Sequence, residues 1–290
     1  MVITKLMGGL GNQMFQYATG RNLSVKLQSE LKIDHSFLET DTKGEYTKRH
    51  YELDAFNCIQ TRASEKEIKT IYQLQKTDIL SKLNNAFSNK TINIFNEKGV
   101  RYTAEVEKLS GDIYLNGYWQ SEKYFTSIRK FLLKEFSLKH NLNVQAAVLK
   151  NRILHDHQSV SIHFRRGDYV NSAAANSYHG TADLAYYHTA ISIVKSKINN
   201  PSFYIFSDDI NWVKENFKID NAIYVEGLES QEDLELIKNC SHNITANSSF
   251  SWWGAWLNTN PAKIVIAPKQ WFKDSTIDTS DLIPAAWLKI

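Results

Sequence analysis

Cysteine is almost missing from this chain: Cys58 and Cys240 are the only two in 290 residues, far apart and outside any paired motif. That argues against a disulfide framework or a cysteine zinc site, and a reducing compartment fits. An excess of one charge is missing too. Thirty-four lysines and arginines face 31 acids, a formal +3, and no basic run is dense enough to be a nucleic-acid footprint. Contact with a polyanion is therefore expected to be local, and nucleic acid is not an expected partner. The opening Met1-Val2-Ile3-Thr4-Lys5-Leu6-Met7 is short and soon interrupted by glycine, unlike a signal peptide or membrane anchor. A cytoplasmic protein is expected on these grounds. Internal repeats, low-complexity tracts and a Walker loop are absent as well.

What is present is ordinary apolar content, 42 %, with mixed charge, enough for a sizeable core. The length suits about two domains at roughly 100–200 residues each. A polar, mostly helical stretch from Asn141 to His157 places the expected boundary, giving an N-terminal α/β domain over 1–150 and a C-terminal one over 151–290.

Val2 to Leu6 reads as a strand, and Gly8-Gly9-Leu10-Gly11-Asn12-Gln13 follows at once. Met14, Tyr17, Ala18, Leu23 and Leu27 then keep helical spacing. Strand, glycine loop and helix is a layout in which helix-start N–H groups face an anion. A tight turn explains the glycines equally well, and their spacing is not the dinucleotide fingerprint. Asn12 and Gln13 favour the ligand reading, because an amide both donates and accepts. Further on, Ser64-Glu65-Lys66-Glu67 is a capping box, Thr77 to Phe87 is a second candidate helix, and Ser121 opens an amphipathic helix through Phe125, Ile128, Leu132 and Phe136. Tyr118 and Trp119 are suited to a sugar face, with core packing the simpler role.

The second half alternates strand and helix, which implies parallel βαβ units. In Ser161-Ile162-His163-Phe164-Arg165-Arg166-Gly167-Asp168, the alternation predicts a half-buried strand with His163 and Arg165 on one face, ending in a turn at Gly167. Two always-charged guanidiniums suit a diphosphate, although an Arg-Arg pair is also a common solvated feature. Phe203-Tyr204-Ile205-Phe206 reads as a buried parallel strand ending in Ser207-Asp208-Asp209. Ser230-Gln231-Glu232-Asp233 opens another helix, and Asn247-Ser248-Ser249-Phe250 sits at a further strand-to-helix junction, where hydroxyls and free N–H groups hold phosphate. Arginines and hydroxyls for a diphosphate, with carboxylates for ribose hydroxyls or a guanine N–H edge, describe a nucleotide-diphosphate site. Asp208-Asp209 also reads as a metal-binding pair.

Three segments resemble the signatures of the α-1,2-fucosyltransferase family, glycosyltransferase family 11: Gly8-Gly9-Leu10-Gly11-Asn12-Gln13-Met14-Phe15-Gln16-Tyr17-Ala18, His163-Phe164-Arg165-Arg166-Gly167-Asp168-Tyr169, and Asn247-Ser248-Ser249-Phe250-Ser251-Trp252-Trp253-Gly254-Ala255-Trp256. They come in the family's order and span nearly the whole chain. The resemblance implies a GT-B-like fold of two facing Rossmann-type domains with a cleft, a GDP-β-L-fucose donor, inversion at the anomeric carbon and no catalytic metal or cofactor. By position, Arg165 matches the clamp on the β-phosphate with Arg166 beside it, and His163 a histidine near the guanine or ribose. Asp233 matches a guanine-binding carboxylate, with an N-cap role alongside Ser230 as its competitor. Asn247, Ser248 and Ser249 match the phosphate-contacting segment, Phe250 lines the guanine pocket, and Gly11, Asn12 and Gln13 reach donor and acceptor. Core-fucosylating enzymes carry a glutamate where this chain has Ala173, which leaves Asp168 as the candidate base or, equally, a partner of Arg166. Trp252, Trp253 and Trp256 read as packing. The implied partner is a galactoside acceptor, with a lipid-linked O-antigen or capsule repeat as the natural class and transient peripheral association at an inner membrane as a further expectation. Another nucleotide-sugar donor, or a non-catalytic sugar-nucleotide- or glycan-binding module, is the competing reading.

Overall fold

The structure is a computed structural model that describes residues 1–40, 48–76, 92–167 and 180–290. The chain divides into two compact units, Met1–Phe136 and Ser137–Ile290.

In the first unit, β1 (Val2–Lys5), β2 (Leu31–Asp34), β3 (Ile92–Asn96) and β4 (Asp112–Asn116) form a parallel sheet in the order β2-β1-β4-β3. Its helices are α1 (Leu10–Lys26), the single turn α2 (Ser36–Glu39), α3 (Glu65–Lys76) and α4 (Arg129–Glu135). Helix α1 starts four residues before the apolar spacing begins. Gly8, at φ +74°, turns the chain, Gly9 caps it, and Gly11 to Gln13 become the first turn instead of a loop. Periodicity hides this start because polar Gln13 and Gln16 are fully buried. The expected capping box at α3 is present: Ser64 N–H donates to Glu67 at 2.8 Å and Glu67 N–H to Ser64 Oγ at 3.3 Å. The second candidate helix, Thr77 to Phe87, lies outside the described residues. The amphipathic helix expected from Ser121 is broken into 3₁₀ turns at Glu122–Tyr124 and Thr126–Ile128 before α4, because Phe125 leaves helical geometry (φ −150°, ψ 4°) to bury its ring completely.

In the second unit, β5 (Ser159–Phe164), β6 (Ser202–Ser207), β7 (Ala222–Tyr224), β8 (His242–Ile244), β9 (Val265–Ala267) and β10 (Leu288–Lys289) form a parallel sheet in the order β10-β9-β8-β5-β6-β7. Helices α5 (Val144–His155), α6 (Leu184–Lys197), α7 (Ile210–Asn216), α8 (Ser230–Asn239) and α9 (Ser249–Leu257) accompany it. Val160, Ile162 and Phe164 pack with Tyr187, Ala190 and Val194 of α6 on one face. On the other, Tyr204 and Phe206 pack with Ile153 of α5 and Leu236 and Ile237 of α8. Strand β5 is therefore buried along its whole length, not on alternate residues: Ser161 and His163 are as enclosed as their apolar neighbours. Central strands of parallel sheets are covered on both faces. The unit boundary falls at 136/137 and not at 150/151, because α5 belongs to the second unit. Its Ile153 joins that core, Asn143 hydrogen-bonds Glu232, and Lys150 pairs with Glu235 at 2.7 Å.

Candidate functional site

Parallel pairing brings the carboxyl ends of β5 and β6 together, with Phe164 opposite Ser207. Arg165 and Arg166 thus emerge beside Asp208 and Asp209. One Asp208 oxygen pairs with Arg165 Nη1 at 2.7 Å, and the other accepts the Arg166 backbone N–H at 2.8 Å. Arg166 Nε donates to Asp209 at 3.2 Å, and its guanidinium lies 3.4 Å over the centre of the Trp212 ring. Asp209 also caps α7 by accepting from Trp212 N–H at 3.4 Å. Two carboxylates and one indole therefore hold two guanidiniums at one strand end. The sequence assigned Asp208 to ribose or guanine; its oxygens here hold the arginine segment instead. Gly167 sits in this cluster for close approach and not for a turn. Its φ is ordinary, and a Cβ there would lie 2.5 Å from an Asp208 oxygen.

His163 precedes the arginines, 5 % exposed, its ring 5.4 Å from that of Phe250. Burial pushes its pKa down to about 4, the positive charge of Arg165 adding to burial and the negative charge of Asp208 opposing it. The imidazole is thus neutral near pH 7, and its Nδ1 is buried without a hydrogen-bond partner. An unpaired buried acceptor or donor is costly, so this atom is a strong candidate for a ligand contact.

Ser248 caps α9, its Oγ accepting from Phe250 N–H at 3.3 Å, and Ser249 is the first helical residue. The Asn247 amide donates to the carbonyls of Gly180 and Trp271, both at 3.1 Å. Through them it fastens the wall of an open cavity of about 930 Å³, also lined by Asp183, Tyr186, Lys269 and Lys273. Phe250 packs with the cluster around Leu236 and Ile237. Trp252, Trp253 and Trp256 are buried, which makes them packing residues as expected.

Asp233 lies in the first turns of α8, where the sequence left an N-cap role open. The cap is made without it: Glu229 and Glu232 form the reciprocal capping box. Burial, with the neighbouring Glu232 charge, pushes the Asp233 carboxyl up to about 7. An acid raised this far, with no capping duty, fits a ligand-facing role.

In the first unit, Gln13 is fully buried and its amide is fully engaged. It donates to the carbonyls of Gly8 (2.9 Å) and His50 (2.7 Å) and accepts from Glu52 N–H (3.0 Å). It stitches the segment at 48–52 to the start of α1 and offers nothing to a ligand in this conformation. Asn12 is half-buried and accepts from Gln120 at 2.8 Å; Gly11 is buried in the first turn. Arg49 lies against Gly9, about where a Cβ would contact it at 3.8 Å. Sequence reasoning missed Trp212, which carries no local signal for its place under the Arg166 guanidinium. Trp119 is fully buried against Phe95 and Tyr124, while Tyr118 is exposed. Asp168 lies outside the described residues. Among the described residues no three His, Cys, Asp or Glu side chains group as a metal site, and no helix is long and apolar enough to cross a membrane.

A model of glycosyl transferase family 11 matches residues 1–290. An α-1,2-colitosyltransferase of Escherichia coli is 34 % identical over 100 % of this chain and 99 % of its own length. The O-antigen biosynthesis glycosyltransferase WbnK of the same organism is 32 % identical over 98 % and 99 %. Rat galactoside α-(1,2)-fucosyltransferase 2 is 29 % identical over 50 % of this chain and 44 % of its own. In fold, the chain resembles NodZ α-1,6-fucosyltransferase soaked with GDP-fucose, with a TM-score of 0.51 at 12 % identity, covering 88 % of this chain and 91 % of that one. Two parallel α/β units give the GT-B-like class that the motifs implied. With its arginine pair anchored at the carboxyl edge of the second sheet, the chain belongs to glycosyl transferase family 11.

Proposed function

We propose that this chain transfers L-fucose from GDP-β-L-fucose to the 2-hydroxyl of a galactoside, with inversion and without a metal. The observation that carries the reading is the guanidinium pair held by Asp208, Asp209 and Trp212 in a family 11 chain. As the bond from fucose C1 to the β-phosphate oxygen breaks, negative charge grows on the diphosphate. Arg165, with Arg166 beside it, stabilises that charge, and Ser248, Ser249 and the N–H dipoles starting α9 support it, while the Asn247 amide, engaged by the Gly180 and Trp271 carbonyls, holds the adjoining wall instead of donating to phosphate. Asp233, Phe250 and neutral His163 form the guanosine end of the donor site. Gly11 and Asn12 belong to the acceptor side, and Asp168 takes the acceptor proton as general base. The acceptor in this reading lies within an O-antigen or capsule repeat, and the name of WbnK, an O-antigen biosynthesis glycosyltransferase, supports the first of these.

A second donor is favoured by one specific finding, the 34 % identical colitosyltransferase. Colitose differs from fucose in lacking the 3-hydroxyl, so GDP-colitose is the competing donor. The test is transfer from each donor to a panel of β-galactosides with EDTA present, for the wild type and Arg165→Ala. Chelator-resistant fucose transfer that falls about 10²–10³-fold in the variant is the expected result. Preference for GDP-colitose selects the second donor. Dependence on Mn²⁺ with indifference to Arg165 overturns the mechanism, and GDP binding without turnover on any acceptor indicates a non-catalytic binding module.

A further inference from the structure

The first sheet has a crevice of its own. Strand β1 lies between β2 and β4 and connects onward to β2, away from β4. In parallel sheets ligands bind at the carboxyl ends of two such neighbouring strands. The segments that leave β1 and β4 meet there: Gln120, just past β4, donates to the side chain of Asn12 in the first turn of α1 at 2.8 Å.

The turn after β4 is a strained one. Trp119 adopts φ +57°, a region that bulky residues rarely enter. Its ring is fully buried, stacked on Phe95 and edge-on to Tyr124. Glu97, which follows β3, accepts the Tyr118 N–H at 2.6 Å on one carboxylate oxygen and the Trp119 N–H at 2.9 Å on the other. Gly117 makes room for that carboxylate, since a Cβ there would lie 2.8 Å from a Glu97 oxygen. Strain of this kind persists only where the surroundings enforce it, and it gathers at ligand sites. Between buried Gly117 and buried Trp119, Tyr118 stands 42 % exposed. Core packing accounts for Trp119 and not for Tyr118. An exposed phenol ring offers an apolar face, and the Asn12 and Gln120 amides can both donate and accept. A neutral pyranose has the matching make-up, C–H groups on one face and hydroxyls around its rim.

We infer that Tyr118, with Gln120 and Asn12, receives the galactose ring of the acceptor, and that Glu97 is a positioning residue that aims Tyr118 through the turn. Calling that ring the acceptor's rests on the transferase reading, so binding is measured apart from turnover. Methyl β-galactopyranoside is titrated into the full chain by ligand-detected NMR, with and without GDP. Tyr118→Ala is expected to bind it about tenfold more weakly, roughly the worth of one aromatic face, and Tyr118→Phe to bind as the wild type does. In turnover, Tyr118→Ala raises KM for the galactoside by the same factor and leaves kcat and KM for the sugar nucleotide unchanged. Glu97→Gln, which sets an NH₂ against one of the two backbone N–H groups, raises the galactoside KM too and adds nothing to Tyr118→Ala. An unchanged unfolding midpoint shows that Tyr118→Ala remains folded. No galactoside binding by the wild type in either condition, or equal binding by Tyr118→Ala, overturns the proposal. Tyr118-dependent binding without transfer upholds the subsite and counts against the transferase reading alone.

Discussion

Asp208→Asn is the most informative single change at the arginine cluster. The asparagine keeps one oxygen for the Arg166 N–H at 2.8 Å but replaces the other with an NH₂ that faces Arg165 Nη1, now 2.7 Å from a carboxylate. Two donors then oppose one another and the ion pair between Arg165 and residue 208 is lost. A hydrogen bond to a charged group is worth about 1.5–3 kcal/mol, which is about ten- to a hundredfold in an equilibrium or a rate. Arg165 and Asp208 retain 22 % and 25 % of their side-chain exposure, so solvent screening keeps the effect at the lower end. We expect kcat/KM for the donor to fall about tenfold, against about 10²–10³-fold for Arg165→Ala. If Asp208 acts only by aiming Arg165, the double variant is no worse than Arg165→Ala alone. Initial rates at varied donor and saturating acceptor, with GDP affinity by calorimetry, compare all three variants with the wild type. An unimpaired Asp208→Asn refutes the positioning role. Additive losses in the double variant refute it differently, by showing that Asp208 touches the donor itself.

Gly254→Ala in α9 would place its Cβ 2.3 Å from Ile237 Cγ2 of α8; urea unfolding should show a loss of about 1–3 kcal/mol, typical of overpacking. Gln13→Ala removes the buried amide's hydrogen bonds to the Gly8 and His50 carbonyls and from the Glu52 N–H; a buried carbonyl left unsatisfied costs about 1–3 kcal/mol, visible as a lowered thermal midpoint. The Asp233 carboxyl rises from 3.8 to about 7 on folding, so the folded state binds more protons between those values and stability falls as pH rises through that window. Asp233→Asn should therefore gain in denaturation midpoint on the wild type from about pH 4 to about 7, and a constant difference across that range sinks the assignment.

The three motifs were legible in the sequence because each is carried by neighbouring residues. Helical spacing, the Ser64–Glu67 capping box and the apolar run ending at Asp208 depend on contacts within a few positions, and all are present. Misreadings came where burial or long-range pairing overrode the local pattern. His163 looked half exposed because it alternates with apolar residues, yet helices cover both faces of β5. Gln13 looked like a ligand amide, but the Gly8 carbonyl and the segment at 48–52 between them occupy both of its N–H groups and its oxygen. Asp233 shared its helix start with a better cap, Glu229 and Glu232.

By itself the sequence determined the family, the parallel α/β class and the residue types gathered at strand ends, since these follow from composition, spacing and motif. Tertiary structure decided which partner each charge meets. Arg166 and Asp208 are separated by 42 residues, and only the register of β5 on β6 sets their carboxylate against that backbone N–H and the adjoining guanidinium. Such a pairing has no local signature, because hydrogen bonds between parallel strands join segments whose separation along the chain is set by the crossover and not by any repeat.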